Sequence, residues 1–358
     1  MPYTHFRYIA YQVPTATSPI GGGGVVCDYS PGDSYQAIGR LPVPAATPDD
    51  AKKRLQRLAG VVNLAANRLR SMADNATTLK IFMAPEFYFR PPSALGANYY
   101  SGTYPVKDRN ALLDALNGMF VHADFQNWLF VPGTILWNTR DDPKANPLYF
   151  NTLVHVRGGM PDALNVIEKN QPSGIDGMPV VGIPARDAKY RIFHQSWANR
   201  KRHVSPVDGT PLGYDICLDH LYSPTCRILK NVIHDWQANE GNIQNVSLHI
   251  LCAAGMDIVP GSLAARVNGF ILRNDGICNP GTRSELKQVQ RYQAPDPLVG
   301  HLLDTAPSDL TGTATLGAAI AEESAAVLSD GPLQVPSKGP GFRTFPQRVV
   351  FFPTQALP

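Results

Sequence analysis

Leu79-Lys80-Ile81-Phe82-Met83-Ala84 runs without a break into Pro85-Glu86-Phe87-Tyr88-Phe89, and this stretch decides the fold. A compact apolar segment of this length, closed by a proline, predicts a buried strand with Glu86 at its mouth. Upstream, Leu55, Leu58, Val62, Ala65, Leu69 and Met72 alternate in steps of three and four across residues 49–74, the period of an amphipathic helix. Thr47-Pro48-Asp49-Asp50 supplies its cap and acidic first turn. Further out, residues 6–12 read as a first strand ended by Pro14, and residues 108–120 as a second helix. Residues 128–132, 151–157 and 246–254 read as strands, and 262–270 as a short helix carrying Arg266. Residues 271–273 then lead into the turn Asn274-Asp275-Gly276. Strands and helices alternating in this way predict a layered α/β fold.

Composition excludes several classes. Of 358 residues 44% are hydrophobic and only 17% charged, which rules against disorder and coiled coil. A net charge of +3 is too near balance to suggest a nucleic-acid surface. The residues from Met1 to Arg7 lack a signal-peptide pattern, and there is no apolar run of about 18 residues, so a soluble, cytoplasmic chain without a membrane partner is expected. Cys27, Cys217, Cys226, Cys252 and Cys278 form no CxxC pair and are odd in number, which predicts reduced thiols. No HxxxH or HExxH spacing occurs, so no metal and no cofactor is expected. The glycines at 21–24 lack the GxGxxG spacing of a phosphate loop and read as an ordinary loop.

Three residues have the chemistry of amide cleavage. Cys217 lies in Gly213-Tyr214-Asp215-Ile216-Cys217-Leu218-Asp219, where a short strand delivers a thiol into a turn. The other four cysteines read as buried small hydrophobes. Glu86 is a carboxylate able to take the thiol proton, and Lys169 in Ile167-Glu168-Lys169-Asn170 a cation able to face a developing oxyanion.

On these residues the chain resembles the nitrilase, or carbon–nitrogen hydrolase, superfamily. The resemblance covers roughly residues 5–280, through APEFYF (84–89), VPGT (131–134), FNTLVHV (150–156), IEKN (167–170), GYDICLD (213–219) and AARVNGFILRNDG (264–276), in that order. It implies a four-layer αββα sandwich, commonly a homodimer or larger homo-oligomer, with Glu86, Lys169 and Cys217 as the catalytic residues. It further implies a small-molecule amide-like substrate and a thioester intermediate, with an oxyanion held by Lys169 and the backbone N–H of Leu218. Nitrile hydrolysis and acyl transfer to an amine use the same thioester and stay open, as does a non-catalytic binding protein on the same fold. Tyr88, Phe89, Trp137, Tyr214 and His220 flank the motifs and are candidate pocket residues.

Three departures stand out. No arginine follows the cysteine turn, which reads His220-Leu221-Tyr222-Ser223-Pro224. The interval from Lys169 to Cys217 is long and points to an insertion near residues 172–211, rich in basic and aromatic residues including Arg200, Lys201 and Arg202. A second glutamate expected shortly after the lysine has no clear match, Asp176 being the nearest acid. The expected organisation is one hydrolase domain over residues 1–300, followed by an extension over 301–358 that packs on the domain or on a neighbouring subunit.

Overall fold

The structure is a computed structural model. It describes residues 3–15, 47–70, 72, 76–91, 102–139, 149–170, 201–222, 246–277, 284–292, 313–328, 333–336, 342–345 and 347–358. The glycines at 21–24, Cys27, Cys226, Cys278, Asp176 and most of the proposed insertion lie outside these residues.

Two β-sheets organise the chain. The first begins with β1 (His5–Gln12), β2 (Thr78–Met83), β3 (Tyr104–Pro105), β4 (Trp128–Val131), β5 (Thr134–Asn138), β6 (Tyr149–Arg157) and β7 (Leu164–Glu168). The second comprises β8 (Val204–Val207), β9 (Thr210–Ile216), β10 (Val246–Ala253), β11 (Ala265–Asp275), β12 (Ser284–Tyr292) and β13 (Ala314–Leu316). The chain then adds β14 (Ser324–Val327) to the first sheet, forms a hairpin of β15 (Leu333–Pro336) and β16 (Phe342–Phe345), and returns to the first sheet with β17 (Arg348–Phe351) and β18 (Gln355–Ala356). β17 and β18 pair antiparallel with β1, and β14 with β17, so these C-terminal strands extend the first sheet.

The central strands are parallel: β1 with β2, β2 with β4, and β9 with β10 and β10 with β11. Such strands are covered on both faces, which is why residues 79–84 read as a nearly continuous apolar run. Side chains alternate between the faces. In β1, Phe6, Tyr8 and Ala10 point between the sheets, whereas Ile9 and Tyr11 meet the helices. The layer between the sheets joins Ile81, Met83, Val131 and Leu153 to Tyr214, Ile216, Ile250 and Leu272.

Helix α1 (Asp49–Arg70) and helix α2 (Val106–Met119) cover the other face of the first sheet, burying Leu55, Leu58, Val62, Leu112 and Leu116 there. The molecule is thus an α/β sandwich. On the outer face of the second sheet, Val246, Leu251, Ala253 and Ile271 pack with Leu263 and Ala264 from the loop that follows β10. Among the described residues the helical cover of that face is the single turn α3 (Asp219–Tyr222). None of the described helices is long and apolar enough to cross a membrane.

One element differs from the sequence expectation. Residues 262–270 do not form a helix: Pro260–Ser262 is a 3-10 turn, and β11 begins at Ala265. A register shift against β10 and a positive φ of 66° at Asn268 mark an irregular strand. A side chain at the next residue, Gly269, would stand 2.7 Å from the carbonyl oxygen of Ser247, so only glycine admits this approach. The irregularity breaks the two-residue alternation and leaves an apolar spacing that imitates a helix.

Candidate active site

Glu86 emerges from the C-terminal end of β2 and is wholly buried. Its turn is fixed on both sides. Phe87 donates its backbone N–H to Thr134 Oγ1 at 2.9 Å, and the Thr15 hydroxyl donates to the Glu86 carbonyl. Gly133 lies against this turn with φ of 88°, and an added Cβ there would collide with the Pro85 carbonyl oxygen. The glycine of VPGT therefore lets two loops close on one another.

Lys169 follows β7, which runs in the same direction as β2 because β4, β6 and β7 pair antiparallel in succession. Its side chain continues the face of Leu153 and Ile167, between the sheets, and its Nζ donates to Glu86 Oε1 at 2.8 Å. Asn151 Nδ2 donates to the same oxygen at 2.9 Å. Burying either charge alone would cost several kcal/mol, so pairing and the third donor are what make a charged carboxylate tenable here. The lysine also lies 5.8 Å from the centre of the Phe87 ring.

Cys217 leaves the C-terminal end of β9 with φ of 46°, a conformation that non-glycine residues avoid. Its N–H donates to the Cys252 carbonyl at 2.9 Å, and its own carbonyl accepts from His220 N–H at 2.9 Å, which starts α3. Two links bring this turn to the Glu86–Lys169 pair. The Cys252 thiol reaches the Ala84 carbonyl at 3.6 Å, two residues before Glu86. The Asp219 carboxylate accepts from Asn170 N–H, at 2.9 and 3.0 Å to its two oxygens, tying the residue after Lys169 to the segment after Cys217. Burial pushes the Cys252 thiol well above its usual range; the charges of Glu86 and Cys217 add to this and Lys169 opposes it. Cys252 thus remains a protonated thiol beside all three residues.

The pocket candidates distribute differently. Tyr88 and Phe89 pack into the helix-side core, where the Tyr88 hydroxyl donates to the Arg54 carbonyl. Trp137 faces the same side, donating to Thr152 Oγ1 at 2.8 Å, stacking on Phe150 and lying under Arg109 of α2. All three pack in the helix-side core, whereas Cys217 belongs to the layer between the sheets. Tyr214 does point between the sheets, stacked 4.6 Å from His155, and burial raises its hydroxyl far above the usual range. Leu218 is half-buried in the turn beside Cys217. His220 is fully buried with Asp215, on the outer face of the second sheet behind the turn. Of the basic stretch, Arg202 is exposed and its charge reaches Glu168, whose carboxyl is pushed up by burial and pulled down by Arg109 and Arg202.

Sequence reasoning missed Asn151, Thr134 and Asp219, although each stands inside a quoted motif. The signal was available: Asn151 is a polar residue in an apolar strand whose other face is helix-covered, so it needs a buried partner. It also missed Asp215 and His249, which with His220 form a buried group whose potential metal-ligating atoms lie within 4.8 Å of one another.

The fold is an α/β sandwich in which a cysteine and a glutamate–lysine ion pair follow the C-terminal ends of three strands, with Cys252 near all of them. No family model and no curated protein matches the sequence. Solved structures to which the chain is similar include nitrilase-superfamily amidases and carbon–nitrogen hydrolases. An amidase from Nesterenkonia sp. is 11% identical, with 99% of this chain and 92% of the amidase covered and a TM-score of 0.42. A CN-hydrolase superfamily protein from Xanthomonas campestris, with an arsenic adduct in its active site, is 10% identical over 99% of this chain and 91% of its own, with a TM-score of 0.37. A carbon–nitrogen hydrolase from Helicobacter pylori is 12% identical over 71% of this chain and 62% of its own, with a TM-score of 0.34.

Proposed function

We propose that the chain is a divergent nitrilase-superfamily enzyme that hydrolyses a non-peptide carbon–nitrogen bond, in an amide or carbamoyl group, through a thioester on Cys217. The observation that carries this reading is the buried Glu86–Lys169 pair, held at 2.8 Å and tied through Cys252 and Asp219 to a cysteine in a left-handed turn. A structural ion pair needs no neighbouring nucleophile, and a structural cysteine needs no strained backbone.

In the mechanism this supports, Glu86 takes the Cys217 proton and the sulfur attacks the carbonyl carbon. The carbonyl electron pair moves to oxygen, where the Lys169 ammonium and the Leu218 N–H stabilise the oxyanion. When that pair returns, the carbon–nitrogen bond breaks and Glu86 delivers its proton to the departing amine. Water then gives a proton to Glu86 and attacks the thioester; the acid leaves and the thiol is restored. Lys169 and Asn151 also hold the Glu86 carboxylate in place through hydrogen bonds to Oε1. A small-molecule amide-like substrate and a homodimer or larger homo-oligomer belong to the same proposal.

The test is ammonia release from a panel of short amides, carbamoyl compounds and nitriles by the wild-type protein and by Cys217→Ala. Release from amides or carbamoyl compounds that disappears in the variant is the expected result. Release from nitriles alone would assign the enzyme to nitrile hydrolysis. Equal release by both proteins would remove the covalent mechanism.

A further inference from the structure

We infer that Asp215, His220 and His249 are positioning residues that hold the Cys217 turn in its reactive conformation; this rests on Cys217 being the nucleophile. Asp215 lies two residues before the cysteine, His220 three residues after it, and His249 on the adjacent strand β10. All three are fully buried. Asp215 Oδ2 accepts from His220 Nδ1 at 3.0 Å and from His249 Nε2 at 2.9 Å.

The second nitrogen of each ring decides what the group is. His220 Nε2 accepts from the backbone N–H of Val259 at 3.1 Å, and His249 Nδ1 accepts from that of Ala264 at 3.2 Å. A backbone N–H only donates, so each ring carries one proton, on the nitrogen facing Asp215. That arrangement opposes metal binding. A neutral histidine bound to a metal through the Asp215-facing nitrogen would carry its proton on the other one, directed at a backbone N–H. The group is instead a closed network in which one carboxylate receives two neutral donors and each donor receives a backbone amide.

The network spans the strained residue. A non-glycine residue at φ of 46° persists only where its surroundings over-determine it. The Asp215–His220 bond closes a bracket across Cys217, and His249 fastens that bracket to β10. The two backbone donors pin the loop between β10 and β11 beneath it. The same loop carries Ala254, which packs against Phe87 on the Glu86 turn. The thiol is therefore indexed to the carboxylate through buried groups that need not touch the substrate.

The experiment is the rate of iodoacetamide alkylation at Cys217, read by peptide mapping with Cys252 as the internal reference, in folded wild-type, His220→Ala and His220→Asn proteins. Circular dichroism and thermal melting report folding. His220→Ala is expected to slow Cys217 alkylation about tenfold or more, since small misplacements of a reacting group are costly. His220→Asn keeps a donor where Nδ1 stood and is expected to recover most of the rate, although both variants lose the Val259 contact. Folded variants that alkylate at the wild-type rate would overturn the inference, as would failure of both to fold, which would assign the network to stability alone. A wild-type Cys217 no faster than Cys252 would overturn this inference and the proposed function together. Fast alkylation at Cys217 without turnover of any amide would remove only the function.

Discussion

The turn carrying Glu86 and the turn carrying Cys217 face the same problem and solve it by different physics. Each closes a parallel strand, and each contains a non-glycine residue at positive φ: Phe87 at 62° and Cys217 at 46°. Such residues cost about 1–3 kcal/mol each and survive only under constraint. The Glu86 turn adds apolar burial to its hydrogen bonds with Thr134 and Thr15, Phe87 being fully buried against Leu136 and Ala254 and under the Arg90 guanidinium. The Cys217 turn is constrained by a buried polar network whose members are each hydrogen-bonded more than once. Apolar packing tolerates changes of pH and shape but offers little direction. A polar network fixes direction and fails when one member is lost.

The largest effects expected are on chemistry, and they should be alike for the two turns. Cys217→Ala should reduce turnover on the order of 10,000-fold with the melting temperature little changed, since the thiol attacks rather than packs. Glu86→Gln should leave substrate affinity near wild type while slowing acylation, measured by single-turnover kinetics. Rapid acylation in that variant would contradict the base assignment.

Stability should separate the turns. Phe87→Ala is expected to cost about 3–5 kcal/mol in urea unfolding, the usual loss for a buried aromatic. His220→Ala should cost less, about 2–4 kcal/mol, mainly from the donor and acceptor it strands. A larger loss for His220→Ala than for Phe87→Ala would reverse the comparison.

Acid should weaken the layer between the two sheets and the polar network behind the Cys217 turn. Burial holds His220 and His203 below the usual histidine range, and holds His155, stacked on Tyr214, down to about 4. Unfolding frees these rings to take up protons, so stability is full above about pH 6.5 and falls as pH drops toward 4. His155 alone should account for about 3 kcal/mol of that loss by pH 4. Urea midpoints measured from pH 7 to pH 4 should show the decline, and His155→Phe should flatten it. The smallest effect concerns backbone strain: Cys217→Gly should exceed Cys217→Ala in stability by about 1 kcal/mol, because glycine accepts a positive φ without penalty.

Much of this was legible in the sequence, and the rest was hidden for physical reasons. The 3.6-residue period of α1 and the apolar runs of β1, β2 and β10 gave their elements to within a few residues, since strands covered on both faces leave no other reading. Glu86, Lys169 and Cys217 were singled out because each follows a strand inside an ordered set of short motifs, and the structure puts each just past a strand's C-terminal end. Tyr88, Phe89 and Trp137 were drawn toward the pocket by proximity in sequence alone. Strand parity sets the face of Trp137, while Tyr88 and Phe89 follow a turn in which the two-residue count does not hold. The Asp215–His220–His249 network left no motif because its members come from a strand end, a turn and a neighbouring strand. The irregularity of β11 was hidden because a bulge mimics a helical spacing.

The central claim, that Cys217 forms a covalent acyl intermediate beside Glu86 and Lys169, is tested most directly by rapid-quench intact-mass analysis with an activated acetyl ester, followed by peptide mapping. The account predicts one acetyl group on the peptide containing Cys217, formed in a burst by the wild-type protein, formed slowly by Glu86→Gln and absent from Cys217→Ala. Acetylation of another residue on the same timescale, or ester turnover by the wild-type protein with Cys217 unmodified throughout, would contradict it.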